Sequence, residues 1–313
     1  MEQRAASALQ TPSAASAFDP IVVNRPARAV HTALKVIAFN AHGGRHFDGI
    51  LECLRRAPLA DADVILLSEV DWGLRRTAGR EIASELAAAL HMSFAYLGEF
   101  GFRRAESDIY AFTGNAILSA HPLADVRGVP LPNVHLRWRI RRLVGAPAGL
   151  TATITVNHRR ITVGVVHMNS RWHPEGRAHQ MAEFLAALPS EGPALVGGDW
   201  NTTTLDLGTS TALFTQGWRL LLQPTRLRTP ERYEPLFDRL AQAGFDVRDV
   251  NVARKSTFTF SRVIPPILRP KLDWIAHREL RPVPGTAAIV RAQPSILSAR
   301  VSDHDFVTCD LRV

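Results

Sequence analysis

The chain has 313 residues, of which 46% are hydrophobic and 21% charged, with a formal net charge of +8. That composition supports one large buried core and excludes a disordered chain, and no apolar run reaches the length of a membrane-spanning helix. Nearly all the positive charge is arginine, since lysine occurs only at Lys35, Lys255 and Lys271, and the balance favours an anionic partner such as nucleic acid, a phosphorylated small molecule or an acidic membrane face.

No basic segment followed by an apolar core opens the sequence, so no secretory leader is expected. Cys53 lies in a helical pattern and Cys309 in a strand pattern. They read as separate buried thiols, and a reducing, cytoplasmic compartment is expected.

Residues 1–33 are rich in Ala and Ser without a sustained apolar period, which predicts a disordered tail. Order is expected from Leu34–Phe39, an apolar strand stopping at Asn40. Phe47, Ile50, Leu51 and Leu54 then mark one face of a helix. Asp63–Leu67 reads as the next strand, closing on Ser68-Glu69. Ile82, Leu86 and Leu90 mark a second helix, and Ala116–Leu118 a short strand.

Thr151–Val156 and Ile161–Val166 flank Asn157-His158-Arg159-Arg160 and predict a hairpin. Pro174 suits the first turn of a helix with Met181, Leu185 and Leu188 inward. Ala194-Leu195-Val196-Gly197-Gly198-Asp199-Trp200-Asn201 reads as a buried strand that turns on its glycines. A helix is predicted over Glu231–Ala243, then strands at Leu272–Ala276 and Phe306–Leu311. There is no internal repeat and no linker. Strands alternating with helices and hairpins predict one mixed-sheet α/β domain over residues 34–313.

Polar residues gather where these strands end. Asn40 follows the first, Glu69 the second, His167 the hairpin, and Asp199 with Asn201 the central strand. Asp273 sits in Leu272-Asp273-Trp274-Ile275, and Asp303-His304 precedes the last strand. A strand of opposite direction presents its start where its neighbours present their ends, so all can share one rim. Carboxylates and a carboxamide are hard oxygen donors suited to Mg²⁺ or Mn²⁺. A histidine with aspartates nearby suits acid–base work. Neither a Gly-x-Ser-x-Gly elbow nor a phosphate-binding Gly-x-x-x-x-Gly-Lys loop occurs.

With Ser68-Glu69-Val70-Asp71, Gly114-Asn115-Ala116-Ile117-Leu118-Ser119, Gly198-Asp199-Trp200-Asn201 and Ser302-Asp303-His304, the set resembles the endonuclease/exonuclease/phosphatase superfamily. That superfamily includes DNase I-like nucleases, abasic-site endonucleases, inositol-phosphate phosphatases and neutral sphingomyelinases. The resemblance implies a four-layer α/β sandwich, two packed mixed β-sheets flanked by helices. It also implies Mg²⁺-dependent hydrolysis of a phosphate ester by in-line attack of water.

Carried over by position, Glu69 would be the principal metal ligand, with Asn40 and Asp303 near the metal. Asp199 would position or deprotonate the water, Asn201 and His167 would hold the phosphate, and His304 would be oriented by Asp273. Whether Asp199 or His304 takes the proton stays open at this stage. The chain departs from the family at Asp305, where Pro is common, and at Thr113, where His is common in similar bacterial members.

Two features bear on the substrate. His135–Arg142 places four arginines, Arg142 among them, around Trp138, and Arg171-Trp172 follows His167 closely. With Asn115 these are the expected substrate contacts, since arginine grips phosphate and Trp stacks on bases. Three functions compete: a nuclease-type phosphodiesterase, the same apparatus acting on a small or lipid phosphoester, and a catalytically dead nucleic-acid- or protein-binding module. No obligate protein partner is expected.

Overall fold

The computed structural model describes residues 19–27, 33–103, 110–133, 143–206, 216, 218, 222–259 and 264–313. In chain order these form β1 Ile21–Val23, β2 Leu34–Gly43, α1 Phe47–Leu54, β3 Val64–Trp72, α2 Ile82–Ala89, β4 Ser93–Arg103 and β5 Tyr110–Ser119. There follow β6 Ala124–Pro130, β7 Leu143–Gly145, β8 Ala148–Val156, β9 Arg159–Val165, α3 Pro174–Ala186 and β10 Ala194–Asp199. The chain closes with α4 Leu236–Gln242, β11 Asp273–Arg278, β12 Arg281–Pro282, β13 Ala288–Val290 and β14 Phe306–Arg312.

Strand β2 shows why the chain builds layers. Ile37 and Phe39 point to one face and Val36 and Ala38 to the other, as two-residue alternation requires. The first face packs on Ile50 and Leu54 of α1 and Ile82 and Leu86 of α2. The second meets Val163, Val165, Leu195 and Ile275 of the other sheet. That sheet's outer face is covered by Met181 and Phe184 of α3 and Leu236 and Leu240 of α4. The result is the expected sandwich of two mixed sheets with helices outside.

The larger sheet runs β1-β4-β5-β3-β2-β14-β12, with β13 on β14 and β7 on β4; the smaller runs β11-β10-β9-β8-β6. Strand β2 is parallel to β3 and β9 to β10, whereas β10 and β11 are antiparallel with Asp199 opposite Asp273. The end of one strand and the start of the next therefore do meet on one rim.

Three expectations change. Part of the expected tail is ordered: β1 pairs with β4, and the Asn24 side chain donates to the Leu123 carbonyl and accepts from its N–H. A three-residue edge strand is too short to register as periodicity, while residues 1–18 and 28–32 lie outside the described residues. Strands β4, β6, β7, β12 and β13 were not expected. The aromatic run of β4, broken by Gly98 and Gly101, lacks clean alternation, β6 carries Asp125, Arg127, Gly128 and a closing Pro130, and the others have only two or three residues. The helix expected over Glu231–Ala243 is a short 3₁₀ turn, Pro230–Arg232, followed by α4. Pro235 supplies no N–H to continue the first turn.

Both cysteines are buried and free. Burial pushes their thiols up, that of Cys53 to about 11. No helix among the described residues is long and apolar enough to cross a membrane.

Candidate active site

Backbone irregularities aim the site's side chains. The β2–β3 register shifts between Asn40 and Gly43, and the β3–β5 register between Leu67 and Val70. Glu69 lies in the second irregularity with φ of 50°, and His42 and Asn201 are also left-handed, both at 50°. An extra residue re-aims its neighbours at a strand end, and left-handed backbone is costly for non-glycine residues. Gly198 is required where it stands: its φ is 128°, and a Cβ there would lie 2.4 Å from the Val166 carbonyl oxygen.

Asp199 is the junction. It is 2% exposed; its Oδ1 accepts from the Asn201 N–H at 3.0 Å and its Oδ2 from Asn40 Nδ2 at 2.9 Å. His167 Nε2 and His304 Nε2 each stand 3.7 Å from that same Oδ2. Asn40 also donates to Glu69 Oε1 at 3.2 Å, and His167 Nε2 is 3.8 Å from Glu69 Oε1. Asn40, Glu69 and His304 come from the larger sheet's rim, and His167, Asp199, Asn201 and Asp273 from the smaller sheet's. The site thus straddles the seam of the sandwich.

The electrostatics are set by burial against charge pairing. Burial opposes a charge on His304, but Asp273, Asp199 and Asp303 outweigh it and raise the imidazole to about 10. Burial lifts Asp273 to about 6 despite its bond to His304. At neutral pH the two therefore form an ion pair. Burial also pushes Glu69 up, yet His167, the Asn40 amide, His304 and His42 hold it below the ordinary carboxylate range. His167 is raised, burial being outweighed by Asp199, Glu69 and Glu99.

The donors fit a hard divalent ion. Glu69, His167 and Asp199 offer ligand atoms within 4.8 Å of one another, and one or two carboxylates are what Mg²⁺ typically takes from a protein. The two residues expected near the metal stand differently toward this cluster. Asn40 turns its amide nitrogen toward both carboxylates while its oxygen accepts the His42 N–H at 3.0 Å, so it holds the carboxylates together. Asp303 pairs with His42 Nδ1 at 3.2 Å and lies outside the carboxylate–histidine cluster.

The expected substrate contacts fare differently. Asn115 is wholly buried and donates to the Ala148 carbonyl at 2.8 Å, so it has no exposed face for a substrate. Trp172 lies against Gly176, where a Cβ would come within 2.3 Å of the indole; it is packed on the start of α3. Arg171, four residues past His167 in the chain, is exposed. Arg142 and Trp138 lie outside the described residues.

Sequence reasoning missed His42, Glu99 and Thr257. Glu99 Oε1 accepts the Ala148 N–H at 3.1 Å, and its Oε2 is 4.0 Å from His167 Nδ1. Burial raises its carboxyl to about 7. A lone carboxylate inside the aromatic run of β4 was the available signal. Thr257 Oγ1 accepts the N–H groups of Leu272 and Asp273, fixing the start of β11. The departure at Asp305 has a local use, since its Oδ1 accepts from Ala292 N–H and from Arg300.

The α/β sandwich thus carries a carboxylate–histidine cluster astride its seam. The Endonuclease/Exonuclease/phosphatase family matches residues 37–304, and the chain belongs to that family of phosphoester hydrolases. The fold is similar to that of an endonuclease/exonuclease/phosphatase from Beutenbergia cavernae, with TM-score 0.60, 19% identity, and 90% of this chain and 72% of that one covered. An endonuclease/exonuclease/phosphatase family protein from Leptotrichia buccalis gives TM-score 0.60 at 15% identity, covering 90% and 100% of the two chains. D. rerio TDP2 complexed with a single-strand DNA product gives 0.55 at 15%, with the same coverages. No curated protein matches the sequence.

Proposed function

We propose that the protein is a Mg²⁺-dependent phosphodiesterase, with Mn²⁺ as an alternative ion, that attacks its substrate in line with water. The observation carrying this reading is the convergence of Asn40, His167 and His304 on one Asp199 oxygen, at 2.9, 3.7 and 3.7 Å. Glu69 would hold the ion from the cluster it shares with His167 and Asp199. When bound, the ion supplies Lewis-acid polarisation of a phosphoryl oxygen.

The residues divide the remaining work. His304, kept protonated by Asp273 and Asp199, has no lone pair to accept a proton at neutral pH. Asp199 therefore takes the proton of the attacking water, and His304 donates to the charge that develops on the phosphate. His167 presents Nε2 toward the same space. Asn201 commits one N–H to the Met168 carbonyl at 2.8 Å, leaving its second for a phosphate oxygen.

Hydrolysis of bis-p-nitrophenyl phosphate tests this directly. Activity is expected with Mg²⁺ or Mn²⁺, and it should vanish with EDTA and in His304→Ala. Turnover that resists EDTA would sink the metal assignment. A second reading, that the diester lies in nucleic acid, is supported by the charge of +8 and by the similar fold of TDP2 complexed with single-strand DNA. Single- and double-stranded DNA and RNA run beside the model diester test it.

A further inference from the structure

The described surface concentrates positive charge beside the catalytic rim. A cleft of about 690 Å³ is lined by Arg228, Arg254, Lys255, Arg269, Arg291 and Arg300 against one carboxylate, Asp305. It adjoins the loop that carries His304. Arg300 donates to the His304 carbonyl at 3.3 Å and pairs with Asp305 at 2.7 Å, while Thr259 N–H donates to the Asp303 carbonyl at 2.7 Å. Among the described residues no carboxylate pairs with Arg254, Lys255 or Arg291, and the buried Nε–H of Arg228 has no acceptor. Arg300 also lines a second cleft, of about 460 Å³, with Arg45, Arg76 and Arg80.

The loops around these cations are aliphatic. Seven large hydrophobic side chains are exposed among the described residues, and four of them, Ile267, Leu268, Ile296 and Leu297, lie on two loops of the larger cleft's wall. Ile296 and Leu297 are 93% and 97% exposed. They form the tip of a turn closed by the Ser298 N–H to the Ser295 carbonyl and braced by Gln293, whose Nε2 donates to the Ile296 and Ser298 carbonyls. Ile267 and Leu268 sit in the 3₁₀ turn Pro266–Leu268. Water is a poor solvent for such tips, and contiguous exposed apolar surface beside polar groups marks an interaction site.

We infer that this face docks on an anionic lipid surface, with Ile296, Leu297, Ile267 and Leu268 entering the acyl boundary and the cleft's cations pairing with headgroup phosphates. Aliphatic insertion combined with Lys and Arg at the headgroup level is the chemistry of interfacial binding. A nucleic-acid strand offers phosphates to the same cations but gains most from aromatic platforms, and among the described residues no aromatic side chain lines the larger cleft. Docking here would hold the rim that carries His304 toward phosphodiesters at the membrane surface. It rests on the proposed hydrolysis only for what is cut there.

Vesicle co-sedimentation of the full chain separates docking from catalysis. Phosphatidylcholine vesicles containing phosphatidylglycerol should bind the protein, and vesicles of phosphatidylcholine alone should bind it at least about tenfold more weakly. Ile296→Ser with Leu297→Ser, and separately Arg254→Glu with Lys255→Glu, should each lower binding to the anionic vesicles by about tenfold or more. The Ile296/Leu297 variant should keep wild-type turnover of soluble bis-p-nitrophenyl phosphate, which shows that it folds. Equal binding to both vesicle types would overturn the inference. So would absence of vesicle binding alongside salt-sensitive binding of a single-stranded oligonucleotide, a result that would assign the cleft to nucleic acid.

Discussion

His304 Nδ1 lies 2.7 Å from Asp273 Oδ2, with both side chains buried and the other imidazole nitrogen turned toward Asp199. One aspartate thus fixes the ring's orientation while the second faces its other nitrogen at 3.7 Å. Asp273 is itself fixed by Thr257, which accepts its N–H at 3.0 Å. Asp273→Asn should preserve the fold but lower kcat on the order of 10²–10⁴, because the amide can neither hold the charge on His304 nor select its tautomer. Diester turnover with a circular dichroism control checks this, and a loss smaller than twofold would leave the pair without a catalytic role.

The same pair sets a pH range. Asp273 loses its charge as pH falls through about 6, and His304 loses its proton as pH rises through about 10. The ion pair exists between these limits, so the rate should fall on both sides. A pH profile of kcat/KM with the soluble diester measures it. A rate that climbs steadily beyond pH 10 would argue that neutral His304 is the active form.

Asn40 joins Glu69 and Asp199 through one amide nitrogen. Asn40→Ala should weaken Mn²⁺ binding by about 10–100-fold, the usual effect of removing a partner that orients metal ligands. Glu69→Gln should weaken it further. Isothermal titration gives the affinities without reference to turnover, and unchanged binding in both variants would place the ion elsewhere.

Lys271 offers a test of stability whose readout is not turnover. It is 2% exposed, donates to the Val252 carbonyl at 3.0 Å and lies 3.7 Å over the Trp274 ring. Burial lowers it from 10.5 to about 8. Between those values the unfolded chain binds more protons, so stability should rise as pH rises from 8 to 10.5 and be lost as pH falls through 8. The swing is on the order of 3 kcal/mol. Lys271→Met should remove that pH dependence, as urea unfolding at several pH values would reveal.

Much of the architecture was local information. The alternation of Val36, Ile37, Ala38 and Phe39 places both faces of β2 in apolar surroundings, and such a period is written in neighbouring residues whatever the rest of the chain does. Strand ends were legible in the same way, which is why Asn40, Glu69, His167, Asp199, Asp273 and His304 could be gathered in advance. The sequence by itself determined which segments are strands and helices and which polar residue types stand at the strand ends, while the two-sheet sandwich was what the family resemblance implied.

Tertiary structure decided which of those residues meet. His42 finds Asp303 across 261 positions, and Glu99 reaches the rear of His167 only because β4 and β8 pack together. Asn115, which the family resemblance made an expected substrate contact, is buried there and donates to the Ala148 carbonyl. The basic cleft draws cations from separate stretches between Arg228 and Arg300, so no single run announces it. Periodicity records how each segment divides between water and core, but contacts between distant segments depend on register, bulges and sheet packing, and those are set only when the sheets close on each other.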